Sequence, residues 1–244
     1  SAISFLAMLS HFFMKKNTLR LVRPERLLYK LKEITVTGFS TFFIDVAMGI
    51  LTILFNRQIM IYLGTNALAV YGVIVNISTF VQCCSYSVGQ ASQPIISTNF
   101  GAGKGDRIRE TLKYALGTAA FFSLFWTALS MLMPNVFIRF FMAPTAGVLK
   151  IAPSIFRCYG LSFLLLPLNI FSTYYFQALM KPRVAFIASV ARGLVISGIL
   201  IYLLPATFGG NAIWFAMPIT EAAVAFYVVH EMVKYTKQLS TREV

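Results

Sequence analysis

The chain has 244 residues, of which 58% are hydrophobic and 12% charged, and its mean hydropathy is +0.74. Soluble domains carry about 25% charged residues, so a water-soluble globule is excluded. A net charge of +13 would suit nucleic acid, but the basic residues stand between apolar runs rather than along one face. The expected partner is therefore a lipid bilayer and not nucleic acid.

The sequence begins at Ser1, and Ala2 to Met14 are apolar but too few to cross a bilayer, which takes about 20 residues. No basic leader precedes them, so residues 1–14 read as the end of a truncated transmembrane helix rather than a signal peptide. Residues 15–32 follow as a basic linker, with Lys15, Lys16, Arg20, Arg23, Arg26, Lys30 and Lys32 against Glu25. Leucines among these charges would let part of it lie on an anionic leaflet.

Six apolar segments then make up residues 33–235: Ile34–Leu63, Ala67–Phe100, Tyr114–Met133, Ile151–Met180, Val184–Leu204 and Ala212–Val233. Each can span a membrane, and the first, second and fourth are long enough to require a tilt, a kink or a projection beyond the lipid. Pro94 and Pro167 offer bends within two of them. Gly64, Thr65 and Asn66 leave room only for a tight antiparallel hairpin between the first two. Most of the 21 Lys and Arg fall on the side of the linker, including Lys104, Arg107, Arg109, Lys113, Lys181 and Arg183. The positive-inside rule puts both ends in the cytoplasm, with residues 236–244 as a cytoplasmic tail. The fold class is thus an all-α membrane protein of six transmembrane helices after a helix stub.

Two acids lie deep in these segments. Asp45 stands about 18 Å and Glu221 about 14 Å along their helices at 1.5 Å per residue, near the midplane of a core about 30 Å thick. An ionised carboxylate there is costly unless paired or wetted. Arg192, on the segment next in sequence, is a natural partner for Glu221, and the two are expected to form a structural ion pair. Asp45 has no evident partner on its own helix. It is either a carboxylate that exchanges H⁺ or Na⁺, or a polar pin between helices. Asn169, Thr173 and Gln177, at i, i+4 and i+8, form one polar stripe. With Gln93 and other amides they would line a cavity or simply hold helices together.

Enzyme motifs are not found: no catalytic triad and no paired catalytic acids. Gly101-Ala-Gly-Lys-Gly-Asp lacks both the strand and the Ser/Thr of a phosphate loop. Cys83, Cys84 and Cys158 lack metal-type spacing, and His11 and His230 are isolated. Neither a metal nor an organic cofactor is expected.

Three stretches carry a resemblance: GQASQPIISTNFGAGKGDRIR from Gly89, YYFQALMKPRVAF at Tyr174 to Phe186, and NAIWFAMPITEA at Asn211 to Ala222. From roughly Gly38 to the C-terminus the chain resembles multidrug and toxic compound extrusion (MATE) transporters, in which a Gln-Pro, an Asn-x-Gly-Ala-Gly and a basic run close the second helix of a lobe. The resemblance implies a C-terminal lobe fragment whose N-terminal lobe is missing. It implies a cell-membrane antiporter that exports amphipathic, often cationic compounds against H⁺ or Na⁺ by alternating access. Asp45, two turns after Gly38, then takes the place of an acid that relatives carry on the first helix of this lobe, although Phe39-Ser40 replaces the usual Pro. Gln93, Asn169, Thr173 and Gln177 would line the path; Asn169 stands in a region where some relatives have a second acid. Two other readings are a lipid-linked oligosaccharide flippase of the same superfamily, with Arg57, Arg157 and Arg192 as cavity cations, and a membrane scaffold that transports nothing.

Overall fold

The computed structural model describes residues 27–240, with side chains for 27–29, 31 and 46–239. The expected stub, most of the linker and the end of the tail lie outside the described residues, as does the Asp45 side chain. The chain divides into two compact units, Ser1–Thr41 and Phe42–Val244. Of the first, the described part is helical from Leu27, within the stretch expected to be linker.

Every regular element among the described residues is helical. Helix α1 covers Leu27–Tyr62, α2 Gly64–Gly101, α3 Gly105–Leu132 and the short α4 Pro134–Phe141. Three further helices run Ala146–Ala178 (α5), Pro182–Phe208 (α6) and Gly210–Leu239 (α7). The five from α2 to α7, leaving out α4, are long and apolar enough to cross a membrane. The other expected span falls in α1, whose apolar stretch with described side chains is Val46–Tyr62. Phe121, Leu124, Phe140, Phe208 and Phe226 are all more than 60% exposed. Such faces are expensive in water and cost nothing in lipid, which makes this a multi-pass membrane protein.

Chain-breaking residues set the element ends. The α1–α2 hairpin is tighter than its Gly-Thr-Asn suggests, because α2 already starts at Gly64. Helix α2 ends in a Schellman motif: Lys104 N–H bonds Asn99 O at 2.9 Å, Gly103 N–H bonds Phe100 O at 3.2 Å, and Gly103 sits at φ 69. Helix α5 ends the same way, with Lys181 N–H on Phe176 O at 2.8 Å and Met180 N–H on Gln177 O at 3.1 Å. Here the left-handed position is held by Met180, at φ 57, where glycine is the unstrained choice.

Inside the spans, two helices leave α geometry. In α5, Leu161–Leu164 is 3₁₀, just ahead of Pro167, whose ring clashes with the carbonyl four residues back and which donates no hydrogen bond to it. In α6, Ala191–Val195 forms a π turn. Helix α2 keeps its helical course through Pro94. It packs most extensively against α5, where Gly89 lets the Tyr174 ring rest on the backbone; a Cβ there would meet the ring at Cγ 2.7 Å away. Phe55, Ile59, Ile74, Ile77, Phe156 and Trp214 belong to one buried cluster, and Phe171, Tyr175, Phe176 and Val228 to another.

Candidate functional site: a polar recess among the spans

A recess of about 250 Å³ lies among α1, α2, α5, α6 and α7. Small-molecule sites run from roughly 300 to 1,000 Å³, so it falls just below that range. Its walls are mixed. Helix α1 contributes Met48, Thr52 and Phe55; α2 contributes Tyr71, Ser78 and Gln82; α5 contributes Tyr159, Ser162 and Phe163. Arg192 and Glu221 close it from α6 and α7. The rings of Phe55 and Tyr71 stack at 5.0 Å, and Tyr159 meets both edge-on at 6.4 Å.

At the polar end the Glu221 side chain is fully buried, with Arg192 Nε donating to its Oε1 at 2.7 Å. Asn169 Nδ2 donates to Oε2 at 2.6 Å and to the Glu221 carbonyl at 2.9 Å. Each carboxylate oxygen thus has a donor, which is what a buried charge requires. Arg192 stands in the π turn, a device that recurs at functional sites in helices. The irregular α5 stretch meets the recess too, through Ser162 and Phe163. The 3₁₀ stretch of α5 and the π turn of α6 thus border the same recess, and departures from α geometry of this kind mark hinges and functional sites in helices.

The structure therefore brings Arg192, Glu221 and Asn169 together. Thr173 Oγ1 turns back to Asn169 O of its own helix at 3.3 Å. Gln93 Nε2 donates to Gln177 Oε1 at 3.4 Å, on the exposed side of α2 and α5. Gln93, Asn169, Thr173 and Gln177 are not among the residues bordering the recess. Of the other basic residues within spans, Arg57 is exposed and Arg157 donates to Met131 O at 3.4 Å, also exposed. The residues that do border it on α2, Tyr71, Val75, Ser78, Thr79 and Gln82, follow helical spacing. That stripe is readable from sequence once its polar members are counted together. No group of His, Cys, Asp and Glu able to hold a metal occurs among the described residues.

A bundle of apolar spans, interrupted where it borders an internal polar recess, defines a polytopic helical membrane protein of transporter-like build. Residues 39–203 match the MatE family, and the chain belongs to that family. Solved structures share its fold. An outward-facing conformation of a multidrug resistance MATE family transporter of the MOP superfamily is similar at a TM-score of 0.81 with 19% identity, over 94% of this chain and 52% of that one. A MOP superfamily transporter from Pyrococcus furiosus Vc1 (DSM3638), described as having a binding pocket of reverse polarity, gives 0.84 with 18% identity over 98% and 54%. A MATE structure in the bent conformation gives 0.83 with 19% identity over 100% and 55%. The chain spans about half the length of these structures. No curated protein matches it.

Proposed function

We propose that this chain is one lobe of a cation-coupled antiporter that exports amphipathic, often cationic compounds by alternating access, with H⁺ or Na⁺ as the coupling ion. Both ends would lie on the cytoplasmic side of the cell membrane, and the protein moves its substrate without chemical change. The observation that carries this reading is the recess, where the 3₁₀ stretch of α5 and the π turn of α6 border one polar space between the spans. A scaffold would have no need for a polar space bordered by irregular helix between its spans.

Asp45 remains the proposed coupling carboxylate. By spacing, position 45 falls in the same helical stripe as Met48, Thr52 and Phe55, all of which border the recess. The Glu221 carboxylate is less suited, because Arg192 and Asn169 already occupy both its oxygens. The pairing also bears on the flippase alternative. A pyrophosphate site needs uncompensated cations, whereas Arg192 is neutralised by Glu221 and Arg57 and Arg157 do not border the recess.

The test is Asp45→Asn in the complete transporter, reconstituted in vesicles. Substrate-driven H⁺ or Na⁺ exchange should fall to background while the protein is still made and inserted. Unchanged exchange would make Asp45 a structural residue and remove the proposed coupling site.

A further inference from the structure

We infer that the end of the bundle where α2, α5 and α7 terminate is a binding site for the phosphate headgroup of an anionic phospholipid. Two ammonium groups from different parts of the chain converge there on one ring. Lys181 Nζ lies 5.0 Å from the centroid of Tyr235, and Lys234 Nζ lies 5.5 Å from the same centroid. Cation–π attraction holds each lysine, and Phe176 buttresses the ring edge-on at 6.3 Å.

The charges at this place do not balance. Lys234 has Glu231 at 3.6 Å, while Lys181 makes no ion pair among the described residues. Two ammonium groups near one ring, only one of them with a carboxylate partner, leave a net positive charge that an anion relieves. Lys181 also forms the wall of a hollow of about 50 Å³ with Phe100, Leu179, Tyr235, Gln238 and Leu239. Free phosphate would gain nothing from the Phe100, Leu179 and Leu239 walls. A lipid would gain from both parts, placing its phosphate on the lysines and its glycerol esters against the hollow. Met180, 75% exposed beside Lys181, adds an apolar contact at the level where helix ends meet headgroups. The site rests on charge complementarity at a membrane surface and is independent of what the protein transports.

The experiment follows thermal unfolding of the complete protein that contains this chain, in a neutral detergent. Short-chain phosphatidylglycerol, short-chain phosphatidylcholine and inorganic phosphate are titrated separately. Phosphatidylglycerol should raise the unfolding midpoint at a concentration roughly tenfold lower than phosphatidylcholine, the selectivity expected of one to two lysines near a surface. Lys181→Ala with Lys234→Ala should abolish the preference, and Lys181→Arg with Lys234→Arg, which keeps both charges, should keep it. Equal responses to the two lipids, selectivity surviving in the double alanine variant, or an equal response to inorganic phosphate would each overturn the inference.

Discussion

Glu221 shows what a single buried charge demands in this setting. Its carboxylate is fully buried and doubly bonded, while its partner Arg192 keeps 15% of its side chain exposed. The two ends of the pair should therefore respond differently to mutation. Arg192→Ala strands a buried carboxylate and is expected to cost about 3–5 kcal/mol. Glu221→Gln leaves a cation that borders the recess and can reach water, and should cost less, about 1–3 kcal/mol. The double variant should cost less than the two single losses together, since no stranded charge remains. Unfolding by SDS titration in mixed micelles measures all three, and additive losses would mean that the pair contributes no coupling. The pairing of Arg192 with Glu221 was legible from depth and from adjacency of their segments. Asn169 was not, because its spacing to Thr173 and Gln177 suggests a shared stripe. The carboxylate it serves lies 52 positions away, and only the packing of α5 on α7 makes that contact visible.

At the scale of the element, helix ends were easier to read than helix interiors. Gly101-Ala-Gly and Lys181-Pro announce a break by backbone chemistry alone. The 3₁₀ stretch at Leu161–Leu164 and the π turn at Ala191–Val195 change neither hydropathy nor length, so no apolar pattern reveals them. Proline gave a partial signal. Pro167 follows the α5 irregularity closely, yet Pro94 sits in a helix that continues through it, and the surrounding packing decides between these outcomes. The matching Schellman ends of α2 and α5 give a sharper test, because they differ in the residue at the left-handed position. A side chain there costs about 1–2 kcal/mol, and Met180, largely exposed, has little packing to lose. Met180→Gly should thus stabilise the protein by about 1 kcal/mol after the extra freedom of glycine in the unfolded chain is discounted. The SDS midpoint should rise; a fall would mean that the Met180 side chain contributes more than its backbone conformation costs.

At the scale of the whole molecule, the surface of the second unit is not uniformly suited to lipid. Asn76, Tyr86 and Gln177 are exposed and Gln93 half-buried, all within spans. Asn76 bonds back to Gly72 O at 2.9 Å and Gln93 bonds Gln177 at 3.4 Å, arrangements that leave amide groups over. Each unsatisfied polar group in hydrocarbon costs several kcal/mol. A polar stripe of this kind calls for a water-filled path or a facing protein surface rather than acyl chains. Since the chain spans about half the length of the structures it matches, a second helical lobe is the proposed cover. Residues 1–244 produced alone should then confer no drug resistance and should self-associate in the membrane. Co-production with a matching first lobe should restore part of the efflux and suppress the self-association. Resistance assays on cells making one or both halves, with cross-linking through a cysteine placed at Gln93, read both outcomes. Robust efflux from the single chain would sink the two-lobe reading and point to a small transporter that works as a dimer, with the amide stripe as its own interface.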